Sequence, residues 1–278
     1  MSLIDFILNV AGLLLWLNWR AIPFVPASRP GMSLVSTVRP AGRPTPRVYY
    51  LVALVAMLVI RAIVYWQLGT QIDWSPRIPL GPVTVWFRSD LPGRMLLFSF
   101  LSFGVALGIL YLCLLVLSWV HAPAADTDPA QRLVRAHLGR LDRWPAGLKM
   151  LLPLLVTAMV WCAFYPLLVK LRIMPGDVNS PWIVVAQGAV IGLAVYLVLK
   201  FFLVAVFALY LLNSYVYLGE FPLWNFINLT ARGLLRPIKW IPLQMGKIDL
   251  APVFAIVLVL VSARFSQQAL AQLYRKLL

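Results

Sequence analysis

Charge is scarce in this chain, and acid is scarcer still. Only 12% of the 278 residues are charged, and Asp and Glu together number nine. A soluble domain carries roughly a quarter charged residues, so there is too little polar surface here to clothe a water-exposed fold. Cysteine is limited to Cys113 and Cys162, both inside apolar runs and without disulfide or metal spacing, so each reads as a small buried hydrophobe. Two histidines and no cysteine pair make no metal donor set, and no cofactor is expected. There is no P-loop and no Gly-rich dinucleotide motif, and the glycines are scattered through apolar runs where they suit close helix packing. Ser118, His121 and Asp126 are sequence neighbours, but no Gly-x-Ser-x-Gly surrounds the serine. The absence of converging acid, base and nucleophile argues against an enzyme.

Apolar residues are what the chain has, 62% of it, in runs long enough for the about 20 residues of helix that cross a bilayer. The expected class is therefore an all-α polytopic membrane protein with about six transmembrane helices and two amphipathic interfacial segments on the cytoplasmic face. The net charge of +15 would suggest nucleic acid in a soluble protein. In a membrane protein, Lys and Arg collect in cytoplasmic loops and meet anionic lipid, so lipid is the expected partner and nucleic acid is not. The first twenty residues carry Asp5 and no basic leader, and their basic flank follows the apolar run. They read as an uncleaved first helix.

In chain order, residues 3–19 form the first expected span, closed by Trp16 and Trp19. Residues 20–47 hold five arginines, no acid and six prolines, an extended basic linker. Residues 48–68 form the second span, in which Arg61 is about two turns from the end and can snorkel. The loop at 69–94 contains IPLGPVTVWF, too short to span and strand-like or interfacial in character. Residues 95–120 form the third span. Residues 129–143 read as an amphipathic surface helix, with Leu133, Val134, His137, Leu138 and Leu141 near one face. The fourth span, 150–169, has Pro153 in its first turn and Pro166 toward its far end. Residues 181–218 would make about 57 Å of helix, so the first ten or so are read as an interfacial lead-in to one tilted span. Residues 220–247 are a second basic surface segment, and 250–266 the last span. With the N-terminus outside, the inside loops hold five, five and four basic residues and the outside loops three and two, as the positive-inside rule requires.

An internal duplication is visible. Leu107–Val120 matches Leu203–Val216 at Leu107/Leu203, Leu115/Leu211, Ser118/Ser214 and Val120/Val216. Pro129 then pairs with Pro222 at the start of a basic amphipathic segment, and Pro153 with Pro252 at the entry to the next span. This divides the chain into 1–94, a two-span region with the basic linker; 95–172 and 181–268, the two repeats; and a tail, 269–278.

The second repeat carries Ser214-Tyr215, Pro222, Leu229-Thr230, Leu235-Arg236-Pro237, Ile241-Pro242 and Gly246-Lys247-Ile248-Asp249-Leu250-Ala251-Pro252. The first keeps Ser118-Trp119, Pro129, its arginines and Pro153. In that order these resemble the YggT family of small bacterial membrane proteins, which extends to YlmG-type proteins of chloroplasts and cyanobacteria. Lys247, Ala251 and Ala231 depart from the family's glycine, serine and proline, and the first two spans lie outside the resemblance. The resemblance implies a bacterial inner-membrane location and a non-enzymatic role in membrane organisation: assembly of a membrane complex, cell division or osmotic tolerance.

Within the second surface segment, Arg232, Arg236 and Lys239 would meet phosphates and Trp240 would lie at headgroup depth. Gly246 permits a chain reversal, and Asp249 is placed to cap the last helix with Pro252 in its first turn. Asn213, Ser214, Asn225 and Asn228 could bridge helices or cap their ends. Lys200 stands some ten residues into the fifth span, and Asp5 is the one acid within a span. Three readings stay open: Lys200 pairs with Asp5, lines the path of a small transporter or channel, or snorkels to an interface.

Overall fold

The computed structural model describes residues 3–20, 47–71, 74–121, 129–174, 180–216, 222–238, 244–245 and 248–277. The basic linker after Arg20, and Asp126, Lys239, Trp240, Pro242 and Gly246, lie outside these. The architecture is all-α, with helices α1 (Leu3–Arg20), α2 (Arg47–Gln71), α3 (Pro92–Val120), α4 (Pro129–Leu138), α5 (Ala146–Lys170), α6 (Pro181–Ala194), α7 (Leu199–Tyr215), α8 (Pro222–Leu234) and α9 (Ala251–Arg275). Two small antiparallel ladders accompany them: β1 (Arg77–Leu80) with β2 (Val83–Trp86), and β3 (Gln244–Met245) with β4 (Ile248–Asp249). A proline opens α3, α4, α6 and α8, where its missing N–H is an orphan in any case and its fixed φ suits the first turn.

Six helical stretches among the described residues are long and apolar enough to cross a membrane: α1, α2, α3, α5, α6 through α7, and α9. Only 11% to 33% of their most apolar windows is buried inside the molecule. On α9, for instance, Val253, Phe254, Val257, Leu258, Leu260 and Val261 are all exposed. An apolar surface of that extent needs lipid as its solvent, and helices satisfy their own backbone there. This is a multi-pass membrane architecture.

The sequence boundaries need four corrections. First, the 181–218 stretch is helical from its start: α6 begins at Pro181, and α6 and α7 run on through a tighter 3-10 turn at Val195–Val198. Glycines explain why it packs from the start, since a Cβ on Gly188 would lie 3.1 Å from the Ala158 carbonyl oxygen and one on Gly192 would lie 2.7 Å from that of Leu154. This is the small-xxx-small spacing that lets helix backbones approach. Second, α5 begins at Ala146, behind Pro145, so Pro153 lies in the helix interior and not in the first turn. Third, the tail is helical as far as Arg275, because α9 does not stop at Ser266. Fourth, the N-cap of α9 is Leu250, without a side-chain cap bond, while Asp249 lies one residue earlier in β4; Pro252 is at the helix start and fully buried.

The chain forms two compact units, Met1–Trp74 with Ser89–Ala106, and Ser75–Arg88 with Leu107–Leu278. In the first, α1 packs along α2. Gly12 admits the Phe103 ring and Met57, so a Cβ there would lie 2.9 Å from the ring.

In the second unit, IPLGPVTVWF is the β1–β2 hairpin. Its two-residue loop starts at Gly81, whose φ of 74° only glycine adopts readily, and that glycine is pressed against Ala194. Ile78, Val85 and Phe87 are fully buried beneath it. The amphipathic helices dock by their apolar faces. Val134 and Leu138 of α4 pack with Leu114 and Leu115 of α3, and Leu152 of α5 adds to them. Ala231 of α8 and the following Leu235 pack with Val206 and Phe207 of α7 and Ala255 of α9. Asn213 donates to Asn228 across 3.2 Å, the bridge between α7 and α8 that the sequence allowed.

Candidate functional site

Two clusters of buried polar side chains stand out against this apolar background, one in each unit. In the first unit, Asp5 and Asn9 are one helical turn apart on α1, Arg61 and Tyr65 one turn apart on α2, and Ser102 faces them from α3. The Arg61 guanidinium donates to Asp5 Oδ1 at 2.7 Å, to Asn9 Oδ1 at 2.8 Å and to Ser102 Oγ at 3.1 Å. The Tyr65 hydroxyl donates to the same Asp5 oxygen at 2.8 Å, and Asn9 Nδ2 donates to Ser102 at 3.0 Å. Tyr65 and Phe98 both lie 5.3 Å from the Arg61 guanidinium carbon, which adds cation–π attraction. Of the guanidinium nitrogens, Nε alone has no partner among the described residues.

This corrects two expectations. Arg61 does not snorkel; it is buried and paired. The partner of Asp5 is Arg61 and not Lys200, whose ammonium lies 5.0 Å from the ring centre of exposed Phe201. The antiparallel register of α5 and α6 explains the position of Lys200. Gly188 meets Ala158, Gly192 meets Leu154, and the Tyr196 hydroxyl donates to the Met150 carbonyl. Four residues further, Lys200 is about level with Ala146, where α5 begins.

The second cluster gathers where α3 ends and α5 begins. Ser118, in the last turn of α3, donates to Asp142 Oδ1 at 2.5 Å. Lys149, in the first turn of α5, donates to Ser118 Oγ at 2.9 Å and lies 3.7 Å from Asp142 Oδ1. Arg135, on α4, holds Asp142 Oδ2 with its Nε at 3.2 Å. Asp142 is in the 3-10 turn Gly139–Arg143, which follows α4 at Gly139, where φ is 56°. That left-handed residue turns the chain so that the carboxylate faces back toward α3.

Next to this cluster, His121 Nε2 is 2.8 Å from Thr230 Oγ1, and the imidazole stacks on Phe226 with 5.0 Å between ring centres. Gly233 of α8 is pressed on Val120. Leu117, Ser118, His121, Val134, Arg135, Asp142, Lys149 and Phe226 together line a half-open cavity of about 100 Å³.

Of the residues singled out in the sequence, Ser118 is buried in this cluster while its neighbour Trp119 faces outward. Ser214 and Tyr215, at the end of α7, are both exposed. Arg232, Arg236 and Pro237 are exposed as well, and Pro153 lies within α5. The acid that meets Ser118 is Asp142. Asp142 was missed because 129–143 reads as one surface helix, whereas the chain turns at Gly139, and Lys149 because it falls just before the span expected at 150–169. No protein-family model, curated protein or solved structure matches the chain. The resemblance to the YggT family rests on the residues quoted for it.

Proposed function

We propose that this is a non-enzymatic, YggT-type protein of the bacterial inner membrane, with its N-terminus outside. In this reading it acts as a scaffold or assembly factor that presents two amphipathic helices at the cytoplasmic face. The observation that carries the proposal is the matched docking of α4 and α8. Each follows a long apolar helix, starts at a proline and buries a narrow apolar stripe against the flanking spans, and α8 turns its other side outward. On α8 that outward side carries Leu223, Leu229 and Arg232, a mixture that suits a protein partner or the headgroup layer. The duplication of span, amphipathic helix and span supports kinship with the family. The transporter alternative gains nothing from Lys200, which lies beside an exposed ring at the level of a helix end.

Photo-crosslinkers at Leu223 and Leu229, compared with one at buried Ala231, test this in native membranes. The expected outcome is that the two outward positions capture the same membrane-complex protein and Ala231 does not. Lipid adducts alone from both outward positions would end the scaffold reading. For orientation, reporter fusions at Ser36 and Asp126 and cysteine labelling at Arg232 should all report cytoplasm.

A further inference from the structure

The cavity at the end of α3 has a composition that a packing defect would not have. Two cations and one carboxylate line it, with a hydroxyl and an imidazole. The carboxylate is fully engaged: Asp142 Oδ1 accepts from Ser118 and faces Lys149, and Oδ2 accepts from Arg135. Among the described residues, one carboxylate between two cations leaves a surplus positive charge, which favours an anion over a metal ion.

Lys149 supplies the donor. Its side chain is 6% exposed, and an ammonium carries three N–H groups. One goes to Ser118 and one points toward Asp142, leaving the third without a partner among the described residues. The same geometry argues against a Ser–Lys nucleophile. The serine O–H is given to Asp142, and an ion-paired ammonium that donates to Oγ has no lone pair with which to take its proton.

Size narrows the ligand. A cavity of about 100 Å³ holds about three waters. It is well below the roughly 300–1,000 Å³ of sites that enclose a whole organic ligand, so what enters it is the size of a tetrahedral oxyanion. The walls narrow it further. Leu117, Val134 and Phe226 give the cavity an apolar side that a free ion would not use. The cavity also lies where the amphipathic helices meet the ends of α3 and α5, the depth at which basic pockets between spans meet lipid phosphates.

We propose that this cavity binds the phosphate of an anionic phospholipid head group, with Lys149 at its base and half-buried Arg135 at its mouth. The proposal rests on the membrane placement of α3 and α5, which the fusions and labelling above test separately.

Native mass spectrometry of the full chain, purified in a neutral maltoside detergent and titrated with phosphatidylglycerol or phosphatidylcholine, tests it. One phosphatidylglycerol per chain should be retained in preference to phosphatidylcholine. Retention should weaken by roughly tenfold in Lys149→Gln and in Arg135→Gln, the loss of one charge-assisted contact. Arg140→Gln, exposed and outside the lining, should bind as the unmodified chain does. Arg135→Gln keeps the test open if Lys149→Gln does not fold, because Arg135 is only half-buried.

Equal retention of the two lipids, or unchanged retention in Arg135→Gln, overturns the proposal. Inorganic phosphate provides the second arm. If it raises the unfolding temperature while phosphatidylglycerol is not retained, the site takes a free phosphate and the lipid assignment is wrong.

Discussion

The Asp5–Arg61 cluster and the Ser118–Lys149 cluster use the same chemistry to opposite ends. In the first, a carboxylate, a carboxamide and a hydroxyl accept from one guanidinium, a phenol donates to that carboxylate, and only the guanidinium Nε lacks a partner among the described residues. In the second, two cations share one carboxylate, and the set opens on a cavity. A charge in an apolar interior is tolerated when its partners are complete. A nearly complete set fastens helices, whereas a set with charge to spare beside an opening suits the ligand proposed for it.

The comparison can be broken by mutation. The largest effect is expected from Arg61→Leu or Asp5→Leu, each of which strands the other charge and should cost about 3–5 kcal/mol. The double replacement should be milder than either single one, as read from unfolding midpoints in detergent. A double variant worse than both singles would mean that the cluster does more than pair two charges.

Next comes Asp142→Leu, which leaves Lys149 and Arg135 facing each other. Water can enter through the cavity, so about 1–3 kcal/mol is expected, less than for Arg61→Leu. The reverse ranking would show that the second cluster, too, is closed. Ser118→Ala should cost about 1 kcal/mol, while Ser214→Ala, its exposed counterpart in the second repeat, should leave the midpoint unchanged. Equal losses would show that both repeats hold such a cluster.

The smallest effect is expected from Lys200→Leu, which should not lower the midpoint. The exchange Asp5→Lys with Lys200→Asp should not rescue Asp5→Lys, since Arg61 is the partner of Asp5.

The six long helices were legible because hydropathy and length are local properties. Their ends were less so. Pro153 reads as a helix start until Pro145 is seen to begin the helix about two turns earlier. The closed cluster had a signal that went unused. Asp5, Asn9 and Gly12 recur at helical spacing, as do Arg61, Tyr65 and Gly69, and each set is the buried face of its helix. A polar residue repeated on one stripe of a span points at a neighbour, whereas a lone charge judged by its distance from a helix end suggests snorkelling. The open cluster had no comparable signal. Asp142 reaches Ser118 only because the chain turns at Gly139, and Lys149 reaches it only because α5 starts early. In the pairing of the two repeats, Leu235 and Ile248 stand where Asp142 and Lys149 do, so the duplication by itself pointed to nothing polar there.

Phe226 belongs to α8 and also forms one wall of the cavity, and His121 and Thr230 tie that helix to the end of α3. The outward side of α8 and the interior of the cavity are therefore two faces of one helix. A partner that tilts α8 alters the room behind Phe226. By thermodynamic reciprocity, whatever fills that room biases the tilt of α8 by the same free energy. The occupancy of a small cavity would then be legible from outside the protein, as a change in how firmly α8 is held.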